Sequence, residues 1–264
     1  MSTGLAFDPE MSRGLELQYT RPAMVLRRAH ALALADPKEG ERVIDVGSGP
    51  GFLTADLGAG VGEVGEVLGI DQSEAMVELA RRRCADWPQV RVEIGDAVAL
   101  DAESGVYDLV VSTQVLEYVA EVDRALGEID RVLRPGGRAV LLATDWRSVA
   151  WYSAEPERMD RMLSAWEEHL AHPTLPRVLG KKLGDLGLRV RAIDRHSIVE
   201  RAHDRTGYAR LMLGAIAAFA PGRRGVTDEE AAAWLAEQEA LREEDAFHLS
   251  IGQYYFVAEK GPGD

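Results

Sequence analysis

Nine residues limit the fold more than any other stretch: Val43-Ile44-Asp45-Val46-Gly47-Ser48-Gly49-Pro50-Gly51. The β-branched apolar residues at its start have strand character, and three glycines at alternate positions then call for a tight turn. Phe52 to Leu57 can open a helix directly afterwards. A strand, a glycine turn and a helix in that order bring backbone N–H groups close to a ligand, because glycine has no Cβ to keep it away. The dinucleotide fingerprint wants glycine at the first, third and sixth places, and here the sixth is Phe52. Asp45 is a second departure. A carboxylate beside a diphosphate costs about 1 kcal/mol or more at partly buried dielectric, whereas beside a cation it is an asset.

S-adenosylmethionine carries a sulfonium and an α-ammonium group and no phosphate, so Asp45 favours it over NAD. With these residues in view, the chain resembles the class I S-adenosylmethionine-dependent methyltransferases, whose first motif reads much like residues 43–51. Further landmarks follow in the family's order. Gly65 to Asp71 is a second strand ending in an acid, 26 positions after Asp45. Val90 to Ala97 is a third, Tyr107 to Ser112 a fourth, and Ala139 to Ala143, after the turn at Pro135-Gly136-Gly137, a fifth. The resemblance implies an α/β fold: a doubly wound, mostly parallel, Rossmann-like seven-stranded sheet with an antiparallel last strand and helical lid and cap elements. It implies that Asp71 takes the ribose hydroxyls and that Asp96, flanked by Gly95 and Ala97, accepts from the adenine amino group. Gln72 and Met76 resemble residues lining ribose and adenine, although Met76 serves core packing equally well. Asp45, Gly47, Ser48, Gly49 and Gly51 form the donor turn, and the demethylated product is S-adenosylhomocysteine. Gln114, just past the fourth strand's carboxyl end, is a contact for the methionine portion.

Composition narrows the acceptor. With 30 Lys and Arg against 44 Asp and Glu the net charge is −14, the wrong sign for a nucleic-acid partner. Arg81-Arg82-Arg83 falls on an expected helix and reads as a solvated face. One cysteine, Cys84, excludes an internal disulfide and any multi-cysteine metal site. No two of the six histidines have a metal-ligand spacing with an acidic partner, so no metal is expected. No apolar run reaches membrane-spanning length and no signal peptide is evident, so the expectation is a cytoplasmic protein without a membrane partner, compatible with a homodimer.

The whole chain, 1–264, reads as a single domain, with N-terminal lid helices (1–38), a cofactor half (40–145) and an acceptor half (146–264). Residues 1–12 are mixed, and Tyr19 lies in a short segment before a helix from Pro22 to about Leu34. Tyr19 resembles a cofactor-contacting lid tyrosine, or else packs the lid onto the core. After the fifth strand come Thr144-Asp145-Trp146-Arg147, where Asp145 could hold an acceptor, act as a base, or cap a helix. Trp146, Trp151 and Tyr152 either wall a flat acceptor or fill a gap under the cap. Strand six is expected at 189–199 and strand seven at 253–259, with a helical excursion at 200–251: Tyr208 to Phe219, then a Thr-x-x-Glu capping box opening a helix from Thr227. His196 is the histidine that best faces an acceptor chamber, and serves as a candidate catalytic group with Asp145. The closest resemblance is to small-molecule methyltransferases related to the ubiquinone and menaquinone C-methyltransferases. Arsenite methyltransferases share part of the pattern but need several cysteines. The sequence therefore reads as a methyltransferase acting on O, N or C of a small organic metabolite, with a biosynthetic role expected. A protein or RNA methyltransferase, a fold member that binds the cofactor without methyl transfer, and a nucleotide-binding oxidoreductase stay open.

Overall fold

The computed structural model describes residue 16 and residues 19–204 and 207–263; the mixed segment 1–12 lies outside the described residues. Strand β1 (Arg42–Val46) runs into the glycine turn and helix α2 (Phe52–Val61), with α1 (Pro22–Ala35) before it. Next come β2 (Glu66–Asp71), α3 (Glu74–Arg83), β3 (Val90–Ile94), β4 (Tyr107–Thr113), α4 (Val122–Val132) and β5 (Leu133–Trp151). The chain finishes with α5 (Pro156–Trp166), α6 (Pro176–Asp185), β6 (Leu188–Arg201), α7 (Tyr208–Phe219), α8 (Asp228–Glu243) and β7 (His248–Lys260). The sheet order is β3-β2-β1-β4-β5-β7-β6, with β7 antiparallel to both its neighbours and the remaining pairs parallel. The order reverses between β1 and β4, which puts the crevice that binds ligands in such sheets at the glycine turn.

Alternation along β1 explains the layers. Val43 points to one face, where Leu57, Val61, Ala31 and Ala35 of α2 and α1 cover it. Ile44 and Val46 point to the other, against Leu126, Ile129, Leu179 and Leu183 of α4 and α6. A third cluster lies past the carboxyl edge of the sheet and joins α5, α7, α8 and the far ends of β5 to β7.

That third cluster corrects the expected strand lengths. The fifth strand does not end at Ala143: it pairs with β7 through Thr144↔Gln253 and Asp145↔Gly252, bulges, and resumes at Ala150↔Ser250. The physical reason is the antiparallel partner. β7 begins at His248 and β6 reaches Arg201, so the three strands form a ribbon that projects beyond the parallel part, with ladder bonds available to residues 144–151. Of the two roles for the tryptophans, the structure takes the gap-filling one. Trp151 packs edge-on to Trp234 at 5.5 Å and donates its indole N–H to Gln238 Oε1 at 2.8 Å. Trp146 meets Trp166 at 6.3 Å. The excursion helices form as read, and Thr227 Oγ1 accepts from the Glu230 N–H in the expected cap.

Trp234 is fully buried at the centre of the cap. Trp234→Ala should lower stability in urea denaturation by about 3–5 kcal/mol through the cavity it leaves. Gly127→Ala, in α4 with open space at its Cβ, should instead raise stability by about 0.5–1 kcal/mol.

Candidate active site

The glycine turn is held from behind by β2. The N–H groups of Gly47 and Ser48 both donate to the Ile70 carbonyl, at 2.7 and 2.9 Å. The Gly49 N–H donates to Asp71 Oδ2 at 2.9 Å, and the Gly51 N–H to the Ser48 carbonyl at 3.1 Å. Pro50 has no N–H to offer. Every amide of the turn is thus spent on the protein itself. Two of the glycines are also forced by space as well as conformation. Gly47 has φ +78° and a Cβ there would sit 2.1 Å from a Val115 methyl; Gly51 has φ +81° and its Cβ would meet the Ala80 Cα at 2.7 Å.

In front of the turn is a narrow crevice, with only about 20 Å³ of free space, lined by Tyr19, Met24, Arg27, Arg28, Ala31, Asp45, Gly47, Ser48, Phe52, Leu53, Thr113 and Tyr255. Asp45 is 1% exposed and its one described side-chain partner is Thr54 Oγ1, which donates at 2.7 Å. Burial pushes its carboxyl up to about 7, against the Thr54 bond, with a smaller upward push from Asp71. The Ser48 hydroxyl is buried beside it with no partner among the described residues. Tyr19 stacks on Phe52 at 5.8 Å, and the Arg83 guanidinium covers the ring at 3.4 Å.

Arg27 enters the cavity from α1, and its position is fixed from three sides. Tyr255 donates its hydroxyl to the Arg27 carbonyl at 2.6 Å, His30 bonds Asp194 of β6 at 2.9 Å, and Arg138 of β5 donates to the Ala35 carbonyl at the helix end. The Arg27 guanidinium donates to Gln114 Oε1. Among the described residues no carboxylate lies at ion-pair distance from it, although it is only 6% exposed. Gln114 adopts a left-handed φ of 57°, a strained backbone that packing must maintain. Its amide donates to Thr144 Oγ1, which also accepts from Gln253. Glu117, fully buried just beyond, accepts from the Thr144 N–H with Oε1 and has no partner on Oε2 among the described residues.

Of the expected donor residues, Tyr19, Asp45, Gly47 and Ser48 line the crevice; Gly49 and Asp71 bond each other at its edge, Gln114 accepts from Arg27 of its wall, and Gly51 packs behind the turn on Ala80. Gln72, Met76, Gly95, Asp96 and Ala97 follow the carboxyl ends of β2 and β3 beside it and outside the cavity wall; Met76 is buried in α3 while Asp96 is exposed. The two candidate catalytic groups lie elsewhere. Asp145 takes a two-pronged ion pair from Arg177, at 2.8 and 3.1 Å, and accepts from the Arg147 N–H at 3.2 Å, so its charge is already held by the protein. His196 sits on the edge strand β6 against His30 and Tyr255, because β7 inserts between β5 and β6. Arg27, Glu117 and Phe52 were not singled out as site residues from sequence. The available signal for Arg27 was a charge on the buried stripe Met24, Arg27, Ala31, Ala35.

Residues 44–141 match the family described as "Methyltransferase domain". The chain is 46% identical over 114 residues to an uncharacterized 37.1 kDa transposon protein of Streptomyces fradiae, a match covering 43% of this chain and 33% of that one. It is 38% identical over 108 residues to the demethylmenaquinone methyltransferase of Symbiobacterium thermophilum, covering 40% and 43%. The chain thus spans less than half the length of these curated relatives. In fold it is similar to the [4+2]-cyclase SpnF, with TM-score 0.58, 22% identity and coverage of 90% and 81%.

The folded pKa of Asp45 lies above its unfolded value of 3.8, so the native state keeps a proton that the unfolded chain has lost between about 4 and 7. Its contribution to stability therefore declines as pH rises through that window, by up to about 1.4 kcal/mol per pH unit. Denaturation of Asp45→Asn against pH should lack this share of the slope. Gly51→Ala should destabilise by more than Gly49→Ala, whose added Cβ meets nothing closer than Tyr19 Oη at 3.5 Å.

Proposed function

We propose that the chain is a class I S-adenosylmethionine-dependent methyltransferase, its residues 44–141 matching a methyltransferase domain, and that it transfers the donor's methyl group to a small organic acceptor. The observation that carries this reading is the spent turn. A diphosphate needs free amides at a strand-to-helix turn, and here Gly47, Ser48, Gly49 and Gly51 have none left. What the crevice offers instead is one buried acid and one buried base, Asp45 and Arg27, the complement of an amino acid's ammonium and carboxylate.

The chain's residues fit such a donor. Asp71 keeps lone pairs on both oxygens for ribose hydroxyls while accepting from the Gly49 and Ser73 N–H groups. Asp45 and the Ser48 hydroxyl, unpartnered among the described residues, face the cationic end, Arg27 and Gln114 the carboxylate, and Tyr19 covers the whole from the segment before α1. When bound, the sulfonium supplies an activated methyl group with a good leaving group already attached. The protein's work is then alignment, exclusion of water and removal of a proton from acceptors that need it.

The small-molecule acceptor is supported by the cap. α5, α7 and α8 cover the carboxyl edge of the sheet on a shared hydrophobic cluster, where a polymer substrate would need an open face. The net charge of −14 also disfavours RNA.

Calorimetric titration with S-adenosylhomocysteine and with NAD tests the donor. Binding of the first and no heat from the second is expected; tight binding of NAD alone would overturn the reading. Asp71→Ala should weaken S-adenosylhomocysteine binding by about 1.5–3 kcal/mol, a charged hydrogen bond's worth.

A further inference from the structure

Resting on that donor reading, we propose that Glu117 is a positioning residue that acts through Arg27: it is the guanidinium's internal counter-charge in the free protein, and it takes up a proton when an anionic group lands on Arg27. The geometry supplies the connection. Arg27 donates to Gln114 Oε1, Gln114 and Glu117 are three residues apart on the same strained turn after β4, and the Thr144 N–H pins one Glu117 oxygen at 3.2 Å. The other oxygen is buried without a partner among the described residues. Arg27 in turn is a buried cation with no carboxylate at ion-pair distance among the described residues. A buried charge of either sign persists only when something compensates it. Here Glu117 feels the Arg27 charge through Gln114, at one amide's remove, and that arrangement leaves Arg27 free to accept a closer partner.

The direction follows from charge. Burial pushes the Glu117 carboxyl up to about 7, while its own and Thr144's N–H groups, Arg27 and Gln114 hold it down. A ligand carboxylate on Arg27 cancels the guanidinium's share of that restraint and excludes water as well. The Glu117 pKa then rises further, and near neutral pH a proton is bound. Removing the competing negative charge releases Arg27 wholly to the ligand.

Other groups face this pair. Tyr118 on the same turn, Tyr208 of α7 and Tyr19 before α1 feel Glu117 or Arg27, but all three are raised above the ordinary tyrosine value and stay neutral. His169, beside Tyr118, is pushed down to about 4 by burial and is neutral too. Burial raises Tyr255 of β7 above the ordinary tyrosine value, so it is neutral as well. His196 on β6 is lowered by burial first, then by His30 and Arg27, so it too would gain proton affinity when Arg27 is neutralised. Asp45 responds in the opposite sense, to the ligand's ammonium.

The test separates these. The net proton uptake on binding is read by calorimetry near neutral pH in buffers of low and high ionisation heat. The probes are S-adenosylhomocysteine and its decarboxylated counterpart S-adenosyl-3-thiopropylamine. Both carry the amine, so the Asp45 response cancels in the difference between them. The carboxylate-bearing probe should take up more protons, by a fraction up to one per site. Glu117→Gln should abolish most of that difference and flatten the pH dependence of affinity, Glu117→Asp should restore it in part, and His196→Gln should leave most of it. Arg27→Met provides a second route that leaves Glu117 in place, and should remove the difference as well. Equal proton counts for the two probes, or a difference that survives Glu117→Gln, would overturn the inference while leaving the donor reading intact. No heat from either probe would overturn the donor reading and this inference with it.

Discussion

One carbonyl organises this molecule. Ile70, near the end of β2, takes the N–H groups of both Gly47 and Ser48, and so fastens the glycine turn of β1 to its neighbour. Because those amides are turned back to the sheet, the turn presents no anion cradle. Because the turn is tight, Asp45 ends up beneath it, buried against Thr54 with its charge only half established near neutral pH. The type of ligand that the crevice can accept is decided there: one that brings a positive charge to Asp45 gains most, since it also completes that ionisation.

The rest of the site extends this logic to the opposite sign. Arg27 is delivered by α1, whose far end is tied to β5 by Arg138 and whose middle is tied to β6 and β7 by His30 and Tyr255. The cation therefore depends on the antiparallel strands, while Asp45 depends on the parallel ones. The crevice lies where these two halves of the sheet meet, and the cap is built on the projecting ribbon of β5, β6 and β7. Packing of Trp151 on Trp234 holds that cap together.

Local patterns made the parallel half legible. The strand-glycine-helix order, the acid at the end of β2 and the capping box at Thr227 are all encoded within a few residues and reappear where expected. The ribbon was not legible, because whether residues 144–151 continue as strand depends on how far β7 reaches, a partner a hundred residues away. The same blindness affected the polar groups. Asp145 looked free until Arg177, 32 positions later, was found on both its oxygens. His196 looked central until β7 separated its strand from the crevice. Arg27 and Glu117 were visible only as charges among apolar neighbours. Their relation to each other passes through Gln114, whose left-handed backbone no local rule would assign to glutamine.

The account's central claim is that the glycine turn serves a phosphate-free, zwitterionic adenosyl donor. A crystal structure with S-adenosylhomocysteine addresses this most directly. The account predicts ribose hydroxyls on Asp71, the amino group on the Asp45 side and the carboxylate on Arg27, with the turn's amides still bonded to Ile70 and Asp71. A turn reopened to bind an anion, or an adenosyl group lying anywhere other than over β2, would contradict it.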